Sequence, residues 1–193
     1  MACYNNMLKT IKARAFQAGD ARFAIVASRY NAAYVDAMLQ GATEELERAG
    51  AREVQVVRVP GAYEIPVVAA RLARASFTHT SRPKRHASRL SAIVCLGVIL
   101  RGETVHAAHI GEAVSRALME IQLEYEVPVI HEVLLLENEA QAKARCLDPK
   151  HNRGREAAQT ALTMAQVMAG LAAAGSFPSA FRRSSARLTA PCS

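Results

Sequence analysis

The sequence predicts a single-domain α/β fold: a three-layer α/β/α sandwich around a four-stranded parallel sheet. Three observations predict it. Short apolar runs alternate with stretches of helical periodicity between residues 22 and 174, which is the pattern of successive βαβ units. The chain has 193 residues, enough for one domain with a sizeable core. Hydrophobic residues make up 51% of it, and Ala, Val and Leu suit helices packed closely on a sheet. The expected organisation is an N-terminal arm (1–21), the folded domain (22–174) with a basic insertion (76–90), and a basic tail (175–193) expected to be disordered.

The elements follow in order. Arg22 to Ser28 (RFAIVAS) reads as a buried strand. Asn31 is placed to cap the next helix. There Val35, Met38, Leu39, Ala42, Leu46 and Ala49 recur at helical spacing, and Gly50 is placed to end it. Glu53 to Val59 is a second strand, closed by Pro60-Gly61. A helix from about Glu64 to Ala75 tolerates Pro66 in its first turn. Ser76 to Leu90 is polar and basic, with Pro83 at its middle, and reads as an exposed loop. Ser91 to Val98 is the third strand. Ile110, Val114, Ala117, Leu118 and Ile121 stripe the helix after it. Val127 to Leu136 is the fourth strand. A short helix from about Asn138 to Cys146 and a turn at Asp148-Pro149 precede a last helix from about Arg155 to Ala174, rich in Ala and Met. That Met and Ala stripe fits either an interhelical contact or the chain's own core.

Several function classes are excluded. No apolar run approaches the roughly 20 residues that span a membrane. The N-terminus has no long apolar segment of a secretory signal, so the cytoplasm is the default. Cys3, Cys95, Cys146 and Cys192 form no C-x-x-C pair, so metal spacing is absent and a reduced compartment is the simplest reading. The formal charge is +7, but Arg82, Lys84, Arg85, Arg89, Arg182, Arg183 and Arg187 hold the excess in one loop and the tail. Basic residues interleaved with aromatics, as nucleic-acid binding wants, are missing. No G-x-G-x-x-G follows the first strand, which removes a dinucleotide-binding domain.

The chemistry concentrates in Leu96-Gly97-Val98-Ile99-Leu100-Arg101-Gly102-Glu103-Thr104-Val105-His106. A strand runs into a glycine-bearing turn, and a helical pattern begins near Thr104. Unpaired N–H groups at a helix start make an anion cradle. A histidine sits in the first helical turn. Parallel strands place all their carboxyl ends on one edge, where ligands bind. The loops 28–31, 60–64, 98–106 and 131–138 all follow strands, so they converge there.

From about Arg22 to Leu171 the chain resembles the lumazine synthases, enzymes of riboflavin biosynthesis. The resemblance rests on Ser28-Arg29-Tyr30-Asn31, Val59-Pro60-Gly61-Ala62-Tyr63-Glu64-Ile65-Pro66, the Leu96–His106 segment, Val127-Pro128-Val129-Ile130 and Asn152-Arg153-Gly154. Each motif alone is weak; five in order, each after the right element, are strong. The resemblance implies a flavodoxin-like fold and a transferase reaction without metal or organic cofactor. In it, 5-amino-6-(D-ribitylamino)uracil condenses with 3,4-dihydroxy-2-butanone 4-phosphate to give 6,7-dimethyl-8-ribityllumazine, phosphate and water.

The resemblance also assigns roles. His106 matches the proton-transfer histidine; imidazole titrates near neutrality and both takes and gives protons. A lone His at such a place is otherwise a helix-surface residue. His109, one turn on, is expected to be structural or supporting. Glu103 and Thr104 match the phosphate-binding pair. A carboxylate repels phosphate, so the Glu103 backbone N–H must bind and its side chain must turn away, while the Thr104 hydroxyl donates. Both residues also suit an ordinary helix start. Arg145 matches an arginine that reaches the same phosphate, typically from a neighbouring subunit; its guanidinium fork suits a phosphate ester. Tyr30 takes the place of the aromatic that stacks on the pyrimidine, and Asn31 serves as cap and ribityl contact. Ala62, Tyr63 and Glu64 match the ribityl-binding loop. Val98, Ile99 and Leu100 match the segment whose main chain reads the pyrimidine edge. Arg153 stands where a basic residue lies near the site.

His131 departs from the pattern, because many relatives have phenylalanine over the heterocycle; an imidazole still stacks, with altered pH dependence. The 76–90 loop and the tail are also extra. The resemblance implies a homo-oligomer, a pentamer with intersubunit active sites. The short Cys146–Gly154 connection favours a 60-subunit shell, and riboflavin synthase is the protein partner suggested. Membrane and nucleic-acid partners are not expected. The alternative is a shell-forming scaffold or a flavin- or lumazine-binding homologue with weakened catalysis.

Overall fold

A computed structural model describes residues 18–78 and 89–173. Strand β1 (Arg22–Ser28) leads to helix α1 (Ala32–Arg48), and β2 (Glu53–Val59) leads through a 3-10 turn (Ala62–Glu64) to α2 (Ile65–Thr78). Strand β3 (Ala92–Leu100) precedes α3 (His106–Tyr125). Strand β4 (Val129–Leu136) precedes a short α4 (Glu139–Ala142), a π turn (Lys143–Leu147) and α5 (Arg153–Ala173). Among the described residues the sheet has four parallel strands in the order β2-β1-β3-β4. This is the flavodoxin-like α/β architecture expected from the sequence.

Side-chain alternation along the strands sorts the core into two layers. Phe23, Ile25 and Ala27 of β1 join Val94, Leu96 and Val98 of β3 against α1 and α5. Ala24 and Val26 join Ile93, Cys95 and Ile99 against α2 and α3. Strands covered on both faces read as continuous apolar runs, which is why RFAIVAS and AIVCLGVIL are legible as central strands. Each fully buried Ile or Leu here contributes on the order of 1.5–3 kcal/mol. The Ala-rich stripe of α5 (Ala157, Ala158, Ala161, Leu162, Ala165) packs into the chain's own core with α1. No helix among the described residues is long and apolar enough to cross a membrane.

The contact between α5 and α1 is unusually close. A Cβ at Gly154 would fall on the Met38 carbonyl oxygen and 2.6 Å from the Met38 Cα. Beside it, the buried Asn152 amide donates to Ala37 O (3.0 Å) and Cys146 O (2.7 Å), while its Oδ1 accepts from Arg155 N (3.1 Å). Asn152 therefore caps α5 and ties it to α1 and the π turn at once. The motif Asn152-Arg153-Gly154 is in this respect a packing lock.

Several boundaries differ from the sequence expectation. Strand β3 continues two residues past Val98, because β4 pairs with it as far as Leu100↔Leu136. Strand β4 starts at Val129 rather than Val127. The helix after the glycine loop begins at His106 rather than near Thr104, and α5 begins at Arg153, where Asn152 supplies the cap. Helix α2 runs on to Thr78, so Ser76 belongs to it; the Ser76 hydroxyl accepts from Leu90 N at 2.7 Å. The short helix changes to a π turn at Lys143. Residues 79–88 of the basic insertion, the tail and the residues Cys3, Arg82, Lys84, Arg85, Arg182, Arg183, Arg187 and Cys192 lie outside the described residues.

Candidate active site

The order β2-β1-β3-β4 reverses direction between β1 and β3, so the loops after these strands diverge and leave a crevice at their carboxyl ends. A cleft of about 970 Å³ opens there. Its walls are Tyr30 and Asn31 after β1, Gly61 to Glu64 after β2, the end of β3 from Val98 to Leu100, Gly102 and Thr104, and one face of α3.

Backbone bonds bring the first two loops together. Arg29 N donates to Val59 O (2.8 Å) and Tyr30 N to Pro60 O (3.0 Å), which carries the β1–β2 ladder beyond both strands. Tyr30 and Tyr63 are consequently held at the cleft with their side chains largely exposed. Glu64 accepts from Gly61 N through Oε2 at 2.9 Å, which fixes the carboxylate and leaves its second oxygen to accept from a ligand.

Asn31 corrects the sequence expectation. It occupies the cap position of α1, but its side chain makes no cap bond. Its backbone is left-handed (φ 55°), and its Nδ2 donates to Val98 O at 2.8 Å. Asn tolerates this conformation better than most residues. The amide thus braces the end of β3 across the crevice.

That brace also orients the β3 main chain. Strand β3 pairs with β1 only as far as Leu96, while its pairing with β4 continues to Leu100. The N–H and C=O of one strand residue point to the same side, and neighbours alternate. Val98 O meets Asn31, and Arg101 N donates to Leu136 O on the β4 side (2.8 Å). The main chains of Val98 and Leu100 therefore face the crevice, and that of Ile99 serves the β4 ladder. Ile99 lines the cleft with its side chain.

After β3 the chain turns through Gly102 and Thr104, both lining the cleft, whereas Glu103 is exposed and not among the lining residues. Thr104 Oγ1 accepts from His106 N at 3.4 Å, so its own proton remains available to an anion. His106 is the first residue of α3 and lines the cleft; its imidazole has no hydrogen-bond partner among the described residues. His109 lines the same wall, with Ile110 and Ala113. The sequence reading gave His109 a supporting place, and the signal that finds it is its i, i+3 spacing from His106.

His131, Arg145 and Arg153 lie elsewhere in the same chain. His131 pairs with Cys95 midway along the edge strand β4, on the side of α3. Ser115 Oγ donates its single proton to Gly111 O (2.7 Å) and lies 2.8 Å from His131 Nε2. The Ser115 hydroxyl thus holds the His131 ring by its Nε2. Arg145 is exposed on the π turn. Arg153 is half-buried and bridges Glu132 (2.7 Å) and Glu156 (2.6 Å). Burial raises the Glu132 carboxyl above its ordinary range, outweighing the Arg153 guanidinium beside it. Burial likewise pushes the Cys146 thiol up to about 11 and the Cys95 thiol further, so neither supplies a thiolate nucleophile.

Comparison with known proteins gives the family of the chain. A family profile described as 6,7-dimethyl-8-ribityllumazine synthase matches residues 20–169. The chain belongs to the 6,7-dimethyl-8-ribityllumazine synthase family. A protein of that name from Stenotrophomonas maltophilia (strain R551-3) is 41% identical over 150 residues, covering 77% of this chain and 89% of the relative. Another from Xanthomonas campestris pv. campestris (strain B100) is 40% identical over 150 residues, covering 77% and 90%.

Proposed function

We propose that this cleft condenses 5-amino-6-(D-ribitylamino)uracil with 3,4-dihydroxy-2-butanone 4-phosphate, releasing phosphate and water and forming 6,7-dimethyl-8-ribityllumazine in riboflavin biosynthesis. The observation that carries it is the joining, in one crevice, of an exposed aromatic, a polyol-accepting carboxylate, an unpaired strand edge, an anion turn and a histidine. The pyrimidinedione has donors and acceptors along one edge, which the main chains of Val98 and Leu100 complement. Tyr30 stacks on its ring. The ribityl hydroxyls donate to Glu64 and run along Ala62 and Tyr63. The phosphate meets the backbone N–H groups of Gly102 and Glu103 and the Thr104 hydroxyl at the start of α3, where the helix dipole favours negative charge. His106, beside that turn, moves protons as the imine forms and the phosphate leaves.

The site is completed by a second copy of the chain in this proposal. His131 and Arg145, which the family pattern puts over the heterocycle and on the phosphate, are exposed and lie outside their own chain's cleft. Met119, Leu123 and Leu135 form exposed apolar surface near the open edge strand, the kind of surface that subunit contact covers. At least a pentamer is expected, and a monomeric mass by light scattering at micromolar concentration overturns it.

The catalytic test is turnover of the two substrates, followed by lumazine absorbance. The wild type forms the product. His106→Ala lowers kcat by about 10²–10⁴-fold, the range for a general acid–base group. No product from the wild type refutes the function and favours a ligand-binding scaffold.

A further inference from the structure

We propose that His109 is a second proton-transfer residue of the cleft, dividing the acid and base work with His106; this rests on the function proposed above. The two histidines share one helix face with Ile110 and Ala113, positions that recur at helical spacing and all line the cleft. At i, i+3 their Cβ atoms stand about 5–6 Å apart. His109 is exposed rather than packed in the core, and its ring, like that of His106, has no hydrogen-bond partner among the described residues. Both rings are therefore free to turn to one ligand and to pass a proton between them directly or through water.

The reaction requires proton transfers of opposite sense. When the amine has added to the ketone carbon, the resulting carbinol hydroxyl must leave as water. An acid gives it one proton, and the C–O bond breaks with its electron pair going to the departing oxygen. The nitrogen then releases its proton to solvent water, leaving the neutral imine. In the elimination, a base takes a proton from the carbon next to the imine carbon. That electron pair forms a C=C bond, and the adjacent C–O bond breaks with its pair leaving on phosphate. A histidine that has given its proton to the carbinol is left as the base for the elimination, but the carbinol oxygen and the carbon that loses its proton are different places on the ligand.

Two imidazoles on the cleft-lining face of α3 serve the two places without either ring having to move between them. His106 adjoins the phosphate turn and is placed as the base of the elimination. His109 lies about 4.5 Å farther along the helix axis, away from the phosphate, and is placed as the acid for the carbinol oxygen. After both steps His106 has gained one proton and His109 has lost one, and exchange between them closes the cycle. The titratable groups sharing the cleft are Glu64 and Tyr63 after β2 and Tyr30 after β1. Glu112 follows one turn on along α3, Arg71 and Arg74 belong to the adjoining α2, and His131 on β4 is tied to Ser115 farther down α3.

The test is steady-state kinetics of the full-length protein across pH, comparing the wild type with His109→Gln, which keeps a hydrogen-bonding side chain but cannot be protonated, and with His109→Ala. For His109→Gln, kcat is expected to fall about 10²-fold, with KM for both substrates within about threefold and one limb of the kcat–pH profile lost. Added imidazole is expected to restore part of kcat to His109→Ala. His109→Gln with wild-type kcat and both limbs intact, or a loss confined to KM, overturns the inference while leaving the proposed function standing. A wild type that forms no lumazine overturns both.

Discussion

The close approach of α5 to α1 makes Gly154→Ala the most decisive structural perturbation. The added Cβ would lie on the Met38 carbonyl oxygen and 2.6 Å from the Met38 Cα, where ordinary contact is 3.4–4 Å. The obstacle is backbone, so no rotamer change relieves it. The start of α5 must move away by about 1 Å, a core displacement that costs about 1–3 kcal/mol. The same movement stretches the Asn152 bonds to Ala37 O and Cys146 O from 3.0 and 2.7 Å toward the limit of hydrogen bonding. Asn152 is buried, so losing both adds about 2 kcal/mol. Destabilisation of about 3–5 kcal/mol follows. With a urea slope of about 2 kcal/mol/M, the unfolding midpoint falls by about 2 M when protomer concentration is held fixed. Gly41→Ala should cost less, because its Cβ meets the Asn152 side-chain oxygen at 2.6 Å rather than backbone. A Gly154→Ala midpoint within about 0.5 M of wild type refutes the reasoning.

Asn31→Ala removes the donor to Val98 O and puts a Cβ-bearing residue without a local polar group at φ 55°; KM for the pyrimidine substrate should rise about tenfold, with about 1–2 kcal/mol lost from stability. Asn31→Gly separates the two effects, because it relieves the backbone but leaves KM raised. His131→Phe removes an imidazole whose ring Ser115 holds at 2.8 Å; substrate affinity and the pH profile should both change, and an unchanged pair of curves discards the stacking role. Glu132 has a folded pKa raised by burial. Its contribution to stability is therefore full below the ordinary carboxylate range and is lost as pH rises through the raised value. Against Glu132→Gln, wild-type urea midpoints should fall from pH 4 to pH 7, and parallel curves contradict the assignment.

The legible parts of the fold are those fixed by local pattern. RFAIVAS and AIVCLGVIL announce strands covered on both faces, and the apolar spacing of α1 and α3 announces their inner stripes. Boundaries were less legible wherever a distant partner sets them. Nothing within Leu96–His106 says that Leu100 still pairs, because its partner Leu136 lies 36 residues on. Asn31 illustrates the same point more sharply. Its position says cap, and local chemistry supports that reading. The amide instead bonds Val98 O, 67 residues away, because the crevice leaves that carbonyl without a strand partner. A buried carbonyl without a donor costs more than a helix end that solvent can reach.

The site divides along the same line. Residues on loops after β1, β2 and β3 could be assigned to one edge because parallel topology requires it, and the structure brings Tyr30, Asn31, Ala62–Glu64, Val98–Leu100, Thr104 and His106 together there. A helical stripe drawn through Ile110 and Val114 defines the core face and leaves His109 at its margin. The cleft cuts into that margin, since α3 begins at the crevice rather than over the middle of the sheet. Arg153 was read from its motif as a site residue. In the structure it pairs with Glu132 and Glu156. Arg145, exposed on the π turn, has no ion pair among the described residues. Of the two arginines it is therefore the one whose guanidinium the proposed second copy can offer to the phosphate.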